Sequence, residues 1–192
     1  MRDEFYGDRR DLWKWTVALN EAADRKIIYV AMLRPDDNPR LPEDIRRDVG
    51  EFFLAERKEL DRSRKCSRIQ RLSDRIVLFL EDYKHTDAAG YFSRVRQHLV
   101  SRTANANFLI LIDPDTGIHT KSTPKHVSFD QLGLIWNVMH QGDKLLIYQH
   151  HARQTREEWI AAKLSNFDKV GMAETSITQK HHADVCFFCA TK

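Results

Sequence analysis

Four apolar runs, separated by stretches of helical periodicity, constrain this chain most. They are KIIYVAML (26–33), RIVLFLE (75–81), NFLILID (107–113) and KLLIYQ (144–149). A strand with one wet face alternates polar and apolar residues. A run without alternation needs cover on both faces, as the inner strands of a parallel sheet have. Before the first run, Leu12, Trp15, Leu19 and Ala23 share one helical face. Further helices are expected over 42–60, 86–103, 129–141 and 153–167, with Gly142 stopping the fourth of these five. Strands alternating with helices give a parallel sheet, because crossovers are right-handed and bring helices onto its faces. Only the last two expected strands, 174–179 and 184–190, lie close enough for a hairpin.

The expected fold is therefore α/β: a Rossmann-like three-layer sandwich with a mainly parallel sheet of about six strands and a C-terminal antiparallel hairpin. The 192 residues suit one domain spanning 1–192, with no repeat or linker to divide it. Apolar residues make up 42% of the chain, and none of the runs approaches the ~18 residues of a membrane span. The charged, aromatic start MRDEFYGDRRDLWKW has no run of signal-peptide type, so a cytoplasmic protein without a membrane partner is expected.

Cys66, Cys186 and Cys189 are too few for a disulfide framework. The segment HHADVCFFC suggests zinc, but on a strand Cys186 and Cys189 point to opposite faces. The net charge of +3 is mildly basic. The basic stretch 57–71 reads first as a solvated helix face, and second as a nonspecific contact to nucleic-acid phosphates.

In open α/β sheets, sites form outside the carboxyl ends of the strands. The first run leads into Arg34 and Asp36, and the second ends at Glu81. The third ends in Asp113-Pro114-Asp115-Thr116-Gly117, followed by His119, Lys121, Lys125 and His126. The fourth ends in Gln149-His150-His151. Asp113 and Asp115 could hold Mg²⁺ or Mn²⁺ through oxygen ligands, or could cap backbone N–H groups in a strand-ending turn. His150 and His151 face opposite ways along the strand, so one of them is expected to reach the cleft as a proton carrier. Asp8, Arg9, Asp11 and Lys14 lie on or before the first helical turns, where Arg9 and Lys14 could bind a phosphate or carboxylate, or the segment could make a solvated helix start in which Asp11 pairs with Lys14.

The segments GDRRDLWKW, DPDTGI and GDKLLIYQHHAR together resemble a bacterial protein family marked by these three motifs. More distantly, the layout resembles Rossmann-like adenine methyltransferases of the ribosomal RNA type. Gly7, Asp8, Asp11, Leu12 and Lys14 match that group's segment before the first strand, and Asp113-Pro114 matches the start of its later DPP motif. The resemblance implies S-adenosylmethionine as cofactor, Asp8 to Lys14 closing over it, and Asp113 orienting the target group. Two positions depart from the pattern. AMLRPDDN replaces a glycine-rich turn, and DPDTG lacks the aromatic residue that would stack on a flipped adenine.

Three functions are expected in order. The first is a protein of methyltransferase ancestry acting on nucleic acid or nucleotide, its S-adenosylmethionine site altered or lost; Asp8, Arg9, Lys14, Arg34, Asp36 and Glu81 would line that site. The second is a divalent-metal phosphodiesterase or nuclease using Asp113, Asp115 and a strand-end His. The third is a non-enzymatic binding protein.

Overall fold

The described elements begin with α1 (Arg9–Ala22), β1 (Lys26–Ala31) and β2 (Ile76–Phe79), and most of the helix expected over 42–60 lies outside the described residues. There follow α2 (Ala88–Val100), β3 (Phe108–Asp113), β4 (Gly117–His119), β5 (His126–Ser128) and α3 (Phe129–Trp136). The chain continues through β6 (Lys144–His150), α4 (Arg156–Lys169), β7 (Ser176–Ile177) and β8 (Val185–Thr191). This computed structural model describes residues 9–32, 48–49, 51–52, 66–79, 81, 83–102, 106–121, 123, 125–150, 155–178 and 185–192.

The main sheet has six strands in the order β2-β1-β3-β6-β8-β7. The four apolar runs supply β2, β1, β3 and β6, all mutually parallel. β8 runs antiparallel to both β6 and β7. The C-terminal antiparallel pair is thus present, with β8 inserted between β6 and β7.

Both faces of the sheet are covered, which explains the missing alternation. On one face, Ile28, Val30, Ile110, Ile112, Leu145 and Ile147 pack with residues of α2, α3 and α4 such as Val95, Ile135 and Phe167. On the other, Ile27, Tyr29, Leu109, Leu111, Leu146 and Tyr148 pack beneath Leu12, Trp15 and Leu19 of α1. Val49 and Ile69 join this second layer. Cys186 and Cys189 lie in opposite layers, as strand geometry predicts.

Several boundaries differ from the pattern reading. The third helix ends at Trp136 rather than 141, with Asn137 as its C-cap. Gly142 instead takes φ +87 in the turn before β6, and a Cβ there would come within 2.7 Å of the Asn107 amide nitrogen. The start of α3 is fixed by a capping box between Ser128 and Gln131. Within the basic stretch, Cys66–Arg71 forms a 3₁₀ helix that buries Ile69. β4 and β5 make a small parallel pair of their own, where only a turn was expected. No helix among the described residues is long and apolar enough to cross a membrane.

Candidate functional site

The chain runs from β1 out to β2 and then back across β1 to β3. The strand order therefore reverses between β1 and β3, and in sheets of this kind the ligand crevice opens at that point, beyond the carboxyl ends. Ala31 and Asp113 are register partners there, and the Met32 N–H donates to the Asp113 carbonyl at 3.2 Å.

Asp113 lies on the face covered by α1, and it is 1% exposed. The Lys14 ammonium donates to its Oδ2 at 2.7 Å, and the Tyr29 hydroxyl donates to the same oxygen at 2.5 Å. Lys14 also pairs with Asp11 Oδ1 at 2.5 Å, one helical turn back on α1. The Tyr29 and Tyr148 rings flank the ammonium, with centroids 5.5 and 5.6 Å away. Burial alone would push the Lys14 pKa down. The two carboxylates outweigh it and hold the group above its ordinary value, so it stays charged at neutral pH.

This cluster unites two residues singled out in the sequence, Lys14 and Asp113, across a separation of 99 positions. The Asp11–Lys14 pair forms as its spacing allows, but in the interior rather than in solvent. Tyr29 was not foreseen. The available signal was a lone hydroxyl in the middle of a buried strand, which needs a hydrogen-bond partner.

Of the other rim residues, His150 lies against a ring that flanks Lys14. Asp115 is partly exposed in the turn after β3. His150 shares Tyr148's face and meets that ring edge-on at 5.0 Å, while its backbone N–H donates to the Thr116 carbonyl. Glu81, after β2, pairs with Arg94 of α2 near the surface. Asp8, Arg34, Asp36 and His151 lie outside the described residues, and Arg9 is described only as the first residue of α1.

Gln149 projects to the face opposite Tyr148 and is buried. Its Oε1 accepts from the Ile118 N–H at 2.5 Å, and its Nε2 donates to the carbonyls of Thr116 and His150. These bonds fasten β4 to the carboxyl end of β6. Gly117 permits the approach: its φ is +119, and a Cβ would overlap the Gln149 amide. Gly117→Ala is expected to cost about 3 kcal/mol, combining backbone strain with overpacking. Urea unfolding measures that loss, and in a Gln149→Ala background the overlap part of it should disappear.

The geometry bears unevenly on the chemistries expected. A divalent cation at Asp113 would meet the Lys14 ammonium already seated on the same carboxylate. No group of three or more His, Cys, Asp or Glu among the described residues is placed to hold a metal ion. At the end of β1, Met32 is buried in the layer covered by α2, α3 and α4. The Ala31 carbonyl is also occupied, accepting from the Tyr91 hydroxyl at 3.0 Å. The segment after Met32, where a glycine-rich turn would hold S-adenosylmethionine, lies outside the described residues. A cavity of about 400 Å³ lined by Asp24, Arg25, Lys26, Ala106 and Asn107 lies at the amino ends of β1 and β3, the opposite edge from the crevice. No protein-family model, curated protein or solved structure matches the chain.

Proposed function

We propose that this chain is a Rossmann-like protein of methyltransferase ancestry that acts on nucleic acid or nucleotide, with its S-adenosylmethionine site altered or lost. The observation that carries the reading is the position of Asp113-Pro114. This dipeptide ends the strand at the switch point, and Lys14 of the first motif bonds Asp113 there, with Asp11 beside it. The described part of the first motif and the start of the second therefore meet at the carboxyl end of β3, which supports the reading. β8, antiparallel beside β6, also suits that fold. In this reading Lys14, Asp11 and Tyr29 are positioning residues. They hold α1 against the end of β3 and fix where the turn Pro114–Thr116 leaves the sheet.

Thermal unfolding in the presence of S-adenosylmethionine, its demethylated product, nucleotides, short oligonucleotides and Mn²⁺ tests the proposal. A ligand at 100 times its Kd adds about 2.7 kcal/mol, worth several degrees in a domain of this length. Stabilisation by a nucleotide or oligonucleotide is the expected result, and an added shift from the methyl donor would show an altered cofactor site. Stabilisation by Mn²⁺ alone, lost in Asp115→Asn, would overturn the reading in favour of phosphodiester hydrolysis. No shift with any ligand would overturn it in favour of a protein-binding role.

A further inference from the structure

We propose that His119 and His126, with the lysines of the loop between them, form a phosphate-binding site on the β4–β5 pair. The two imidazoles sit on adjacent parallel strands with ring centroids 5.3 Å apart. Between Thr116 and Phe129 the chain carries His119, Lys121, Lys125 and His126 and no acidic residue. Two rings this close, in a basic loop, repel one another once charged, and an anion between them removes the conflict.

The hydrogen bonds define what the rings offer. The Lys121 backbone N–H donates to His119 Nδ1 at 3.2 Å, so that nitrogen is an acceptor and the neutral ring carries its proton on Nε2. His126 Nδ1 lies 2.7 Å from the Thr123 hydroxyl, which already accepts from the Lys125 N–H at 3.2 Å. The hydroxyl keeps a second lone pair, so the neutral His126 ring can either accept from it or donate to it through Nδ1. Once protonated, both imidazoles carry an Nε2–H, which suits a ligand made only of acceptor oxygens.

The charged groups that face His126 agree with this. His119, Lys163 and Lys125 are cationic or become so, and Asp115 is the opposing carboxylate. Burial first, and then those cations, hold His126 below its ordinary range. Lys163 of α4 donates to the Ile118 carbonyl, and burial holds it down to about 8. Hydrogen bonds tie the β4–β5 pair to β6 and across its own loop. Gln149 grips Ile118 and Thr116, and the Thr116 N–H and hydroxyl both donate to the Lys125 carbonyl at 2.9 Å. Preorganisation of this kind reduces the ordering cost of binding.

The carrier of the phosphate, a nucleotide's terminal group or a nucleic-acid backbone, rests on the function proposed above. The site itself does not, because inorganic phosphate reports it without cofactor or nucleic acid. The experiment follows the ring resonances of all nine histidines through a pH titration, with and without phosphate, and with acetate as the carboxylate control. Phosphate should raise the midpoints of His119 and His126 and leave those of His98 and His140 in place. His119→Gln, a change at an exposed residue, should weaken phosphate binding at least tenfold, whereas Lys169→Gln on α4 should not alter it. Competition by an oligonucleotide lacking a terminal phosphate assigns the site to the backbone diester. Competition only by the 5′-phosphorylated form assigns it to a terminal group. Identical titrations with and without phosphate, equal shifts with acetate, or undiminished binding by His119→Gln would each overturn the site.

Discussion

Replacing Lys14 by methionine should destabilise the protein by about 3–5 kcal/mol, because the change leaves buried carboxylates without their cation. The ammonium is 2% exposed and bonds both Asp11 and Asp113, themselves 3% and 1% exposed. Total stabilities of about 5–15 kcal/mol make this a large fraction of what holds the fold. Chemical denaturation of Lys14→Met, Asp113→Asn and the double variant measures it. The double variant should be less destabilised than the sum of the single losses, since an amide beside a thioether leaves less buried charge than a carboxylate does. The pH dependence has a definite sign. The folded Lys14 pKa stands above its ordinary value of 10.5, so its contribution is complete below that value. It is lost only as pH rises beyond 10.5 toward the folded value, and Lys14→Met should lack that alkaline loss. Full stability in Lys14→Met, with loss of ligand binding alone, would instead make Lys14 a ligand-contacting group.

Asp143→Ala should be comparably damaging, at about 3–5 kcal/mol, for a similar reason at the other end of the sheet. Asp143 is fully buried. Its Oδ1 accepts from the Phe108 N–H at 2.8 Å, and its Oδ2 accepts from the His140 N–H at 2.7 Å and from the Arg102 guanidinium. One carboxylate thereby joins the segment after α2, the first residue of β3 and the turn before β6. The Arg102 side chain is nearly as buried, and its Nε and Nη1 have no hydrogen-bond partner among the described residues. Removing Asp143 strands that cation and two backbone donors in the interior. Arg102→Met in the Asp143→Ala background should recover part of the loss. Because Asp143 lies far along the strands from the crevice, ligand binding by the folded fraction should be unchanged, which separates this variant from Lys14→Met.

Much of the sheet was legible because its inner strands are covered on both faces. KIIYVAML and NFLILID cannot be half-wet strands or surface helices, and once they alternate with helices the parallel order follows. Asp113 was legible as the end of such a run, and Lys14 as an ammonium one turn from an acid. That the two meet was not. Their contact depends on α1 crossing the carboxyl end of β3, which no local pattern encodes. Tyr29 was hidden by its apolar neighbours, and Asp143 by a Gly-Asp pair that reads as an ordinary turn. β4 and β5 escaped because three-residue strands such as GIH and HVS carry no period, and their pairing is fixed from outside by Gln149. Likewise, two short strands near each other in sequence suggest a hairpin, and only the third dimension shows that β8 also pairs with β6.

That placement of β8 has a consequence for the growing polypeptide. β6 is synthesised well before the strand that covers its outer edge, and α4 and β7 intervene. Until β8 emerges from the ribosome, the apolar residues Leu145, Leu146 and Ile147 belong to a strand with one edge open. β7, only two residues long, pairs with β8 and cannot close that edge in its place. An exposed apolar edge is a template for pairing with other chains. The nascent chain therefore passes through a stage at which the outer edge of β6 has no partner strand, and that stage ends only when β8 pairs with it.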